Sequence, residues 1–331
     1  MKKAFAALLI LLLFFLSAVP LASLTLKLGT LTPAGTFWDE ALKKLSEEWR
    51  QISGGEVSLR IYPGGVAGDE GDMLRKMRIN QLDAAVLTGM GFTKLHPELF
   101  VMSFPFLVND DDELKYLLKA MKPRFEALVK EKGFVVVAWQ TAGWIYFFSK
   151  NPVVYPRDLQ AHKVSVTADA PEISGIWKSM GFSIIPLSTL DLMSGLQSGM
   201  VNAFYSSPIL AASYQWFGLA KNMSALKLAP LVGGLIVTER AWSRIPDRIK
   251  GELLEAADRI LAPLYEETIR LEEEAVKVMQ GHGLTVHPIT EDALREWKEL
   301  GEQGYRDVLG KTVSVEIFEE ARGHLESYRR K

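Results

Sequence analysis

Residues 63–72, PGGVAGDEGD, combine the glycines of a phosphate cradle with three carboxylates, and so raise two kinds of chemistry at once. A phosphate loop needs a Lys-Ser/Thr pair opening its helix; here Asp69, Glu70 and Asp72 stand there instead and would repel an anion. Carboxylates in a first helical turn are favoured by the helix dipole, so the stretch is read as a turn and a helix cap. The histidines, His96, His162, His282, His287 and His324, offer no pair at helical metal-ligand spacing; only His282 and His287 lie near each other, on an expected surface loop. No serine sits in a G-x-S-x-G elbow, Ser198 of GLQSG being misplaced for one. With no cysteine in the chain, thiol catalysis, disulfides and a lipid-modified N-terminus are excluded. Neither catalysis nor a cofactor or metal is expected. The unusual feature is aromatic density at predicted strand ends and helix starts, including Trp38, Trp144, Phe204 and Tyr205, which suits an apolar ligand wall.

A chain of 331 residues, 48% of them apolar, can bury a large core and is expected to divide into two domains. Residues 1–23 carry a basic start, an apolar run from Ala4 to Leu16 and the small residues of SAVPLAS, the pattern of an export leader. A mature start near Leu24 is expected, with a retained N-terminal anchor as the alternative. Removing Lys2 and Lys3 leaves 36 basic against 40 acidic residues, a formal charge of −4 with no basic block, which argues against a nucleic-acid partner.

The elements that would position a site alternate from Leu24 onward. The spacing predicts a strand (LTLKLGTL), a helix over 36–53 with Leu42, Leu45 and Trp49 on one face, a strand (EVSLRIYP), a helix over 69–79 and a strand (DAAVLTG). This order argues a largely parallel α/β sheet. An irregular apolar segment over 94–108 follows, then an acidic cap at 109–112 and a helix from Pro123 to Lys132. The run GFVVVAWQTAGWIYFFS reads as two strands parted by Thr141-Ala142-Gly143. A second α/β unit then repeats the logic through KVSV, EISGIWKSMG, SIIPL, LDLMSGLQSG and MVNAFYSS. A helical tract from Pro246 to Gln280, bent at Pro263, is long enough to brace both units, and a helix over 292–309 follows.

Several ordered stretches resemble the substrate-binding proteins of tripartite ATP-independent periplasmic (TRAP) transporters of the dicarboxylate-binding, DctP type. They are KLGTLTPAGTFWDEALKKL, IYPGGVAGDEGDMLRKMRINQLDAAV, FPFL, SKNPVVYPRDLQAHKVSV and MGFSIIPLSTLDLMSGLQSGMVNA. The resemblance implies an α/β, two-lobed periplasmic binding protein of type II-like build with a long bracing C-terminal helix. It further implies lobe I over 24–148 plus 238–275, lobe II over 149–237 plus 276–331, a ligand cleft between them, and delivery to a TRAP membrane permease. A periplasmic location follows, and the function is binding rather than catalysis.

The departures from the family pattern bear on the ligand. The family arginine of the strand written K-I-R-V falls on Ser165, a second arginine position on Ile145, and the charged positions after the third strand on Thr88 and Gly91; the usual D-G-x-E-N becomes Asn202 to Ser206. Losing a bidentate cation forfeits a charge-assisted contact worth about 2–3 kcal/mol, which argues against a simple carboxylate. The expected cleft is lined by Leu31, Trp38, Met90, Phe92, Trp144, Ile145, Phe204 and Tyr205, with Thr88, Ser165 and Ser206 as neutral hydrogen-bonding points. An apolar or uncharged small molecule is the expected ligand. The sequence looks closer to the branch of the family associated with a periplasmic tetratricopeptide-repeat protein, which is a further expected partner. The alternative is an interaction protein whose cleft binds no solute and which acts through a membrane or repeat-protein partner.

Overall fold

Leu24, Leu26 and Leu28 alternate with Thr25 and Lys27, a period of two that gives the first strand, β1 (Leu24–Gly29), one buried stripe. In the computed structural model, which describes residues 23–167 and 171–331, this stripe meets the Leu42, Leu45 and Trp49 face of α1 (Phe37–Ile52). Thr36 caps that helix by accepting from the Asp39 amide at 3.4 Å. Of the expected leader only Ser23 is among the described residues, and the loop over 168–170 lies outside them. Among the described residues no helix is long and apolar enough to cross a membrane.

β2 (Val57–Tyr62), α2 (Glu70–Arg78), β3 (Ala84–Thr88) and α3 (Gly89–Leu95) come next, and β1 pairs in parallel with both β2 and β3. A 3₁₀ turn over Pro97–Ser103 completes the irregular apolar segment. α4 (Asp111–Glu131) runs through Pro123 instead of starting there. Asp110 caps it, accepting from the Glu113 amide at 2.8 Å, and the buried stripe Leu117, Met121, Phe125 and Leu128 continues across the proline, so packing outweighs the lost amide.

β4 (Phe134–Ser149) is one strand, not two. After it come α5 (Pro156–Gln160), β5 (Lys163–Thr167), α6 (Pro171–Ser179), β6 (Ser183–Leu187), α7 (Leu192–Gln197), β7 (Ala203–Ser206), α8 (Pro208–Ser213), β8 (Asn222–Ser224) and β9 (Ala229–Thr238). The sheet order is β2-β1-β3-β9-β4-β7-β5-β6, with β8 beside β4. Its flanks are parallel, but β9 pairs antiparallel with both β3 and β4, and β4 antiparallel with β7, so the sheet is mixed where a largely parallel one was expected. β4 therefore spans both halves: residues 134–145 pair with β9, and 146–149 with β7. Its alternation feeds both faces of the second half, Phe147 entering one core cluster and Phe148 the other.

The C-terminal part contains α9 (Glu239–Ser243), α10 (Asp247–Leu261), α11 (Leu264–Gly281), β10 (Thr285–His287), α12 (Glu291–Val308) and α13 (Val315–Arg329). The bracing tract is present, but Pro263 divides it into two helices rather than bending one. α10 packs on α1 in the first half, and α11 on α8 in the second. Assigning all of 276–331 to the second half does not hold, because α13 packs on α4 in the first. Arg329 fixes it there, donating at 2.8 Å to each oxygen of Glu113 and at 3.0 Å to the Leu107 carbonyl. That pairing holds the Glu113 carboxyl down at about 2.

The middle of β4 is irregular. The pairing register with β9 shifts between Thr141 and Trp144, and Gly143 has φ +93°, a left-handed conformation that glycine adopts without a Cβ penalty. The groups freed by the bulge are met locally: the Gly143 amide donates to the Thr141 hydroxyl at 3.2 Å, and the Trp144 amide to Glu272 of α11 at 2.8 Å. Burial pushes the Glu272 carboxyl up to about 7, against the Trp144 amide and Lys227, which favour its charged form. Since folding raises this pKa, the folded chain holds the proton more tightly than the unfolded one. Its contribution to stability is full below about pH 4.5 and is lost as pH rises through 7, an effect on the order of 3 kcal/mol. Glu272→Gln keeps the acceptor but cannot ionise; its urea-unfolding free energy should stay flatter than wild type between pH 5 and 8.

Candidate functional site

The carboxyl ends of β1, β3, β5 and β7 converge where the two halves meet, and there they enclose a cavity of ≈ 280 Å³. Thr30 to Thr32 follow β1; Val86 to Thr88 end β3; Ser165 and Val166 belong to β5, and Phe204 to Ser206 to β7. The long strands add Gln140 and Ile145 from β4 and Val232 to Gly234 from β9. Trp38 and Leu42 of α1 close one side, and the Trp297, Leu300 and Tyr305 face of α12 another.

Nine of the predicted site residues line this space: Leu31, Trp38, Thr88, Met90, Ile145, Ser165, Phe204, Tyr205 and Ser206. Phe92 and Trp144 do not. Residues two positions apart on a helix lie about 200° apart, so with Met90 facing the cavity Phe92 turns into the core, where its ring centroid lies 4.6 Å from that of Trp139. Neighbours on a strand face opposite ways, so with Ile145 facing the cavity Trp144 points away. Its indole N–H donates to Asp111 at 3.1 Å, and Lys227 lies over its ring.

The wall is built by rings that fix one another. Phe148 and Phe204 stack at 5.1 Å, Tyr214 and Trp216 at 4.7 Å, and Tyr205 lies parallel to Trp177 at 6.1 Å. The halves also touch at the rim. The Tyr214 hydroxyl, following α8, donates to the Leu31 carbonyl across the opening, and a Cβ at Gly65 would meet Leu190 at 2.5 Å.

Among the described lining residues there is no lysine, arginine or histidine, and Glu70 is the sole carboxylate. Of the acids at the start of α2, Asp69 caps the helix and Asp72 pairs with Arg75 at 2.6 Å, as expected of a helix start. Glu70 instead turns inward and is 6% exposed. It accepts from both the amide and the hydroxyl of Thr88, the latter at 2.9 Å. Gly91 leaves room for it, since a Cβ there would stand 3.0 Å from the carboxyl carbon. Burial pushes the Glu70 pKa up, opposed by the two bonds from Thr88. Glu70 is thus a buried prop for the end of β3, a role that a capping pattern does not signal.

Sequence reasoning also missed Gln140, Trp177, Tyr214 and the α12 face. The apolar spacing Leu294, Trp297 and Leu300 was a legible signal for α12, and the lone polar residue in VVVAWQ one for Gln140.

Layered α/β halves joined by shared strands, with a ligand-sized space between them, define a two-lobed extracytoplasmic solute-binding protein. The profile of DctP, bacterial extracellular solute-binding protein family 7, matches residues 28–312, and the chain belongs to that family. It is 22% identical over 272 residues to the sialic acid-binding periplasmic protein SiaP of Vibrio cholerae, covering 80% of this chain and 83% of that one. To the 2,3-diketo-L-gulonate-binding periplasmic protein YiaO of Escherichia coli it is 24% identical over 301 residues, covering 90% and 88%. A TRAP periplasmic solute binding protein from Xanthobacter autotrophicus with bound β-D-galacturonate superposes with a TM-score of 0.84 at 17% identity, covering 91% of this chain and 99% of that one. One from Shewanella oneidensis with bound succinate gives 0.85 at 16%, covering 92% and 100%. The chain is a TRAP-type solute-binding protein, not an enzyme, whose partners are a small-molecule ligand and a TRAP permease.

Removing the Thr88 hydroxyl leaves one oxygen of a buried carboxyl without its donor. Thr88→Val should destabilise the protein by about 1–3 kcal/mol in urea denaturation; a loss under about 0.5 kcal/mol would mean that water replaces the bond.

Proposed function

We propose that this TRAP-type protein captures an uncharged, largely apolar small molecule and delivers it to its permease. The carrying observation is the lining: aromatic and aliphatic side chains from both halves and no basic residue among those described; Ser165 and Ile145 stand where the family resemblance implies an arginine, the second in some members only. An anion entering this space would lose its hydration with no cation to compensate. The acids bound by the solved relatives are evidence about those proteins; at 16–17% identity their lining residues do not transfer to this chain.

Capture works by population shift. The open form samples closure, and a ligand touching both walls stabilises the closed form. Aromatic burial supplies most of the affinity, while Ser165 and Ser206 orient a polar end. The same proposal takes lobe I as 24–148, 238–275 and α13, and lobe II as most of the remainder after residue 148. It places the exported protein in the periplasm after loss of its leader, with hand-over through a tetratricopeptide-repeat partner as in the branch that the sequence resembles. An open cavity of ≈ 280 Å³ counts against the alternative of a collapsed, non-binding cleft.

Native mass spectrometry of protein purified from periplasm should show an adduct that is released on unfolding and carries no acidic group. A recurrent organic acid would sink the proposal. Ile145→Asp, which sets a carboxylate in the wall, should abolish the adduct while leaving the fold intact by circular dichroism.

Tyr214→Phe removes the hydrogen bond across the rim. It should speed release of the bound molecule about fivefold, the kinetic equivalent of about 1 kcal/mol, as read by stopped-flow displacement.

A further inference from the structure

The two ends of the Gln140 side-chain amide meet different surroundings. Its Oε1 is sealed among protein atoms, whereas its Nε2 is not sealed, takes part in no hydrogen bond and belongs to a residue that lines the cavity. The amide therefore offers the cavity N–H donors and no acceptor. Sheet order holds it there: on β4, just before the bulge, Gln140 pairs with Gly233 of β9, and Gly233 pairs with Thr88 of β3. Two inter-strand spacings keep Thr88 about 10 Å from Gln140, and the Thr88 hydroxyl bonds to Glu70 at 2.9 Å, not to the amide.

Two further groups have the same character. The indole N–H groups of Trp38 and Trp216, which also line the cavity, have no hydrogen-bond partner and are not sealed. An indole nitrogen, like an amide nitrogen, can only donate. The acceptor side is closed by contrast: the acceptor-only side-chain oxygens of the described lining are those of Glu70, both taken by Thr88, and the sealed Oε1 of Gln140. Unpaired donors in a wall without a basic residue call for a neutral acceptor. A carbonyl oxygen, with two lone pairs and no proton of its own to place, meets that need.

Resting on the reading of an uncharged, largely apolar ligand, we propose that this ligand carries a carbonyl group whose oxygen accepts from Gln140 Nε2. The class is that of lipophilic ketones and esters. The hydrocarbon part lies against the aromatic wall, where removal of apolar surface from water holds it. A molecule of the same shape without the oxygen leaves the amide donor dehydrated and unpaired, so the site discriminates against it.

The test is calorimetric titration of the full exported protein with three probes of matched shape: 4-propylacetophenone, its methylidene analogue 4-propyl-α-methylstyrene, and 4-propylbenzoate. Wild type should bind the ketone about tenfold more tightly than the styrene, and Gln140→Met, which keeps the side-chain length but has no N–H, should bring that ratio to about one. Equal binding of ketone and styrene by wild type, which needs no variant to fold, overturns the carbonyl assignment, and a preference that survives in Gln140→Met overturns the role of Gln140. Tightest binding of the benzoate, or binding of none of the three, overturns the underlying reading of an uncharged apolar ligand.

Discussion

Strand β4 has to belong to both halves of the molecule, and the bulge at Thr141–Trp144 lies just before the point, between Ile145 and Tyr146, where it changes partner from β9 to β7. An irregular strand inside a protein frees backbone groups that must be met. Here the Thr141 hydroxyl and the buried Glu272 meet them, so α11 is tied by a hydrogen bond to the crossing point of the sheet. Two of the cavity's lining residues sit next to this join. Gln140 lies before the bulge and Ile145 just after it, and both face the cavity. Burial pushes the Glu272 carboxyl at this join up to about 7.

The proposed ligand chemistry rests on what surrounds that join. The described walls hold one carboxyl, already engaged by Thr88, and no base. In such a space the favourable term is removal of apolar surface from water, at about 25 cal/mol per Å². Specificity then rests on the few polar atoms left, because burying any of them unpaired is costly. Membership of the DctP family fixes the task, solute capture for a TRAP transporter, and leaves the chemical class of the solute to those walls.

Much of this was legible in the sequence because it is carried by periodicity. The Leu24–Leu28 alternation, the Leu42–Leu45–Trp49 face and the ordered family stretches placed the first half and the strand ends that bear Thr88, Ser165 and Phe204. The misreadings have physical causes. Phe92 and Trp144 were assigned to the cleft by neighbourhood alone, although helix and strand geometry send them opposite to Met90 and Ile145. Thr141-Ala142-Gly143 looked like a break because a bulge and a turn use the same residues, and only the pairing partners on β9 separate them. Glu70 reads as a cap in the sequence because its inward turn depends on the room left by Gly91, twenty-one residues along the chain. The closeness of Gln140, Gly233 and Thr88 is a product of sheet order, which joins residues far apart in sequence.

The most direct test is a crystal structure of the protein purified from periplasm with no ligand added. The account predicts closed lobes and continuous density between the Leu31–Trp38 wall and the Ser165–Tyr205 wall, fitted by an uncharged molecule with no basic side chain in contact. A carboxylate in that density, paired with a lysine or arginine drawn in from outside the present lining, would contradict it.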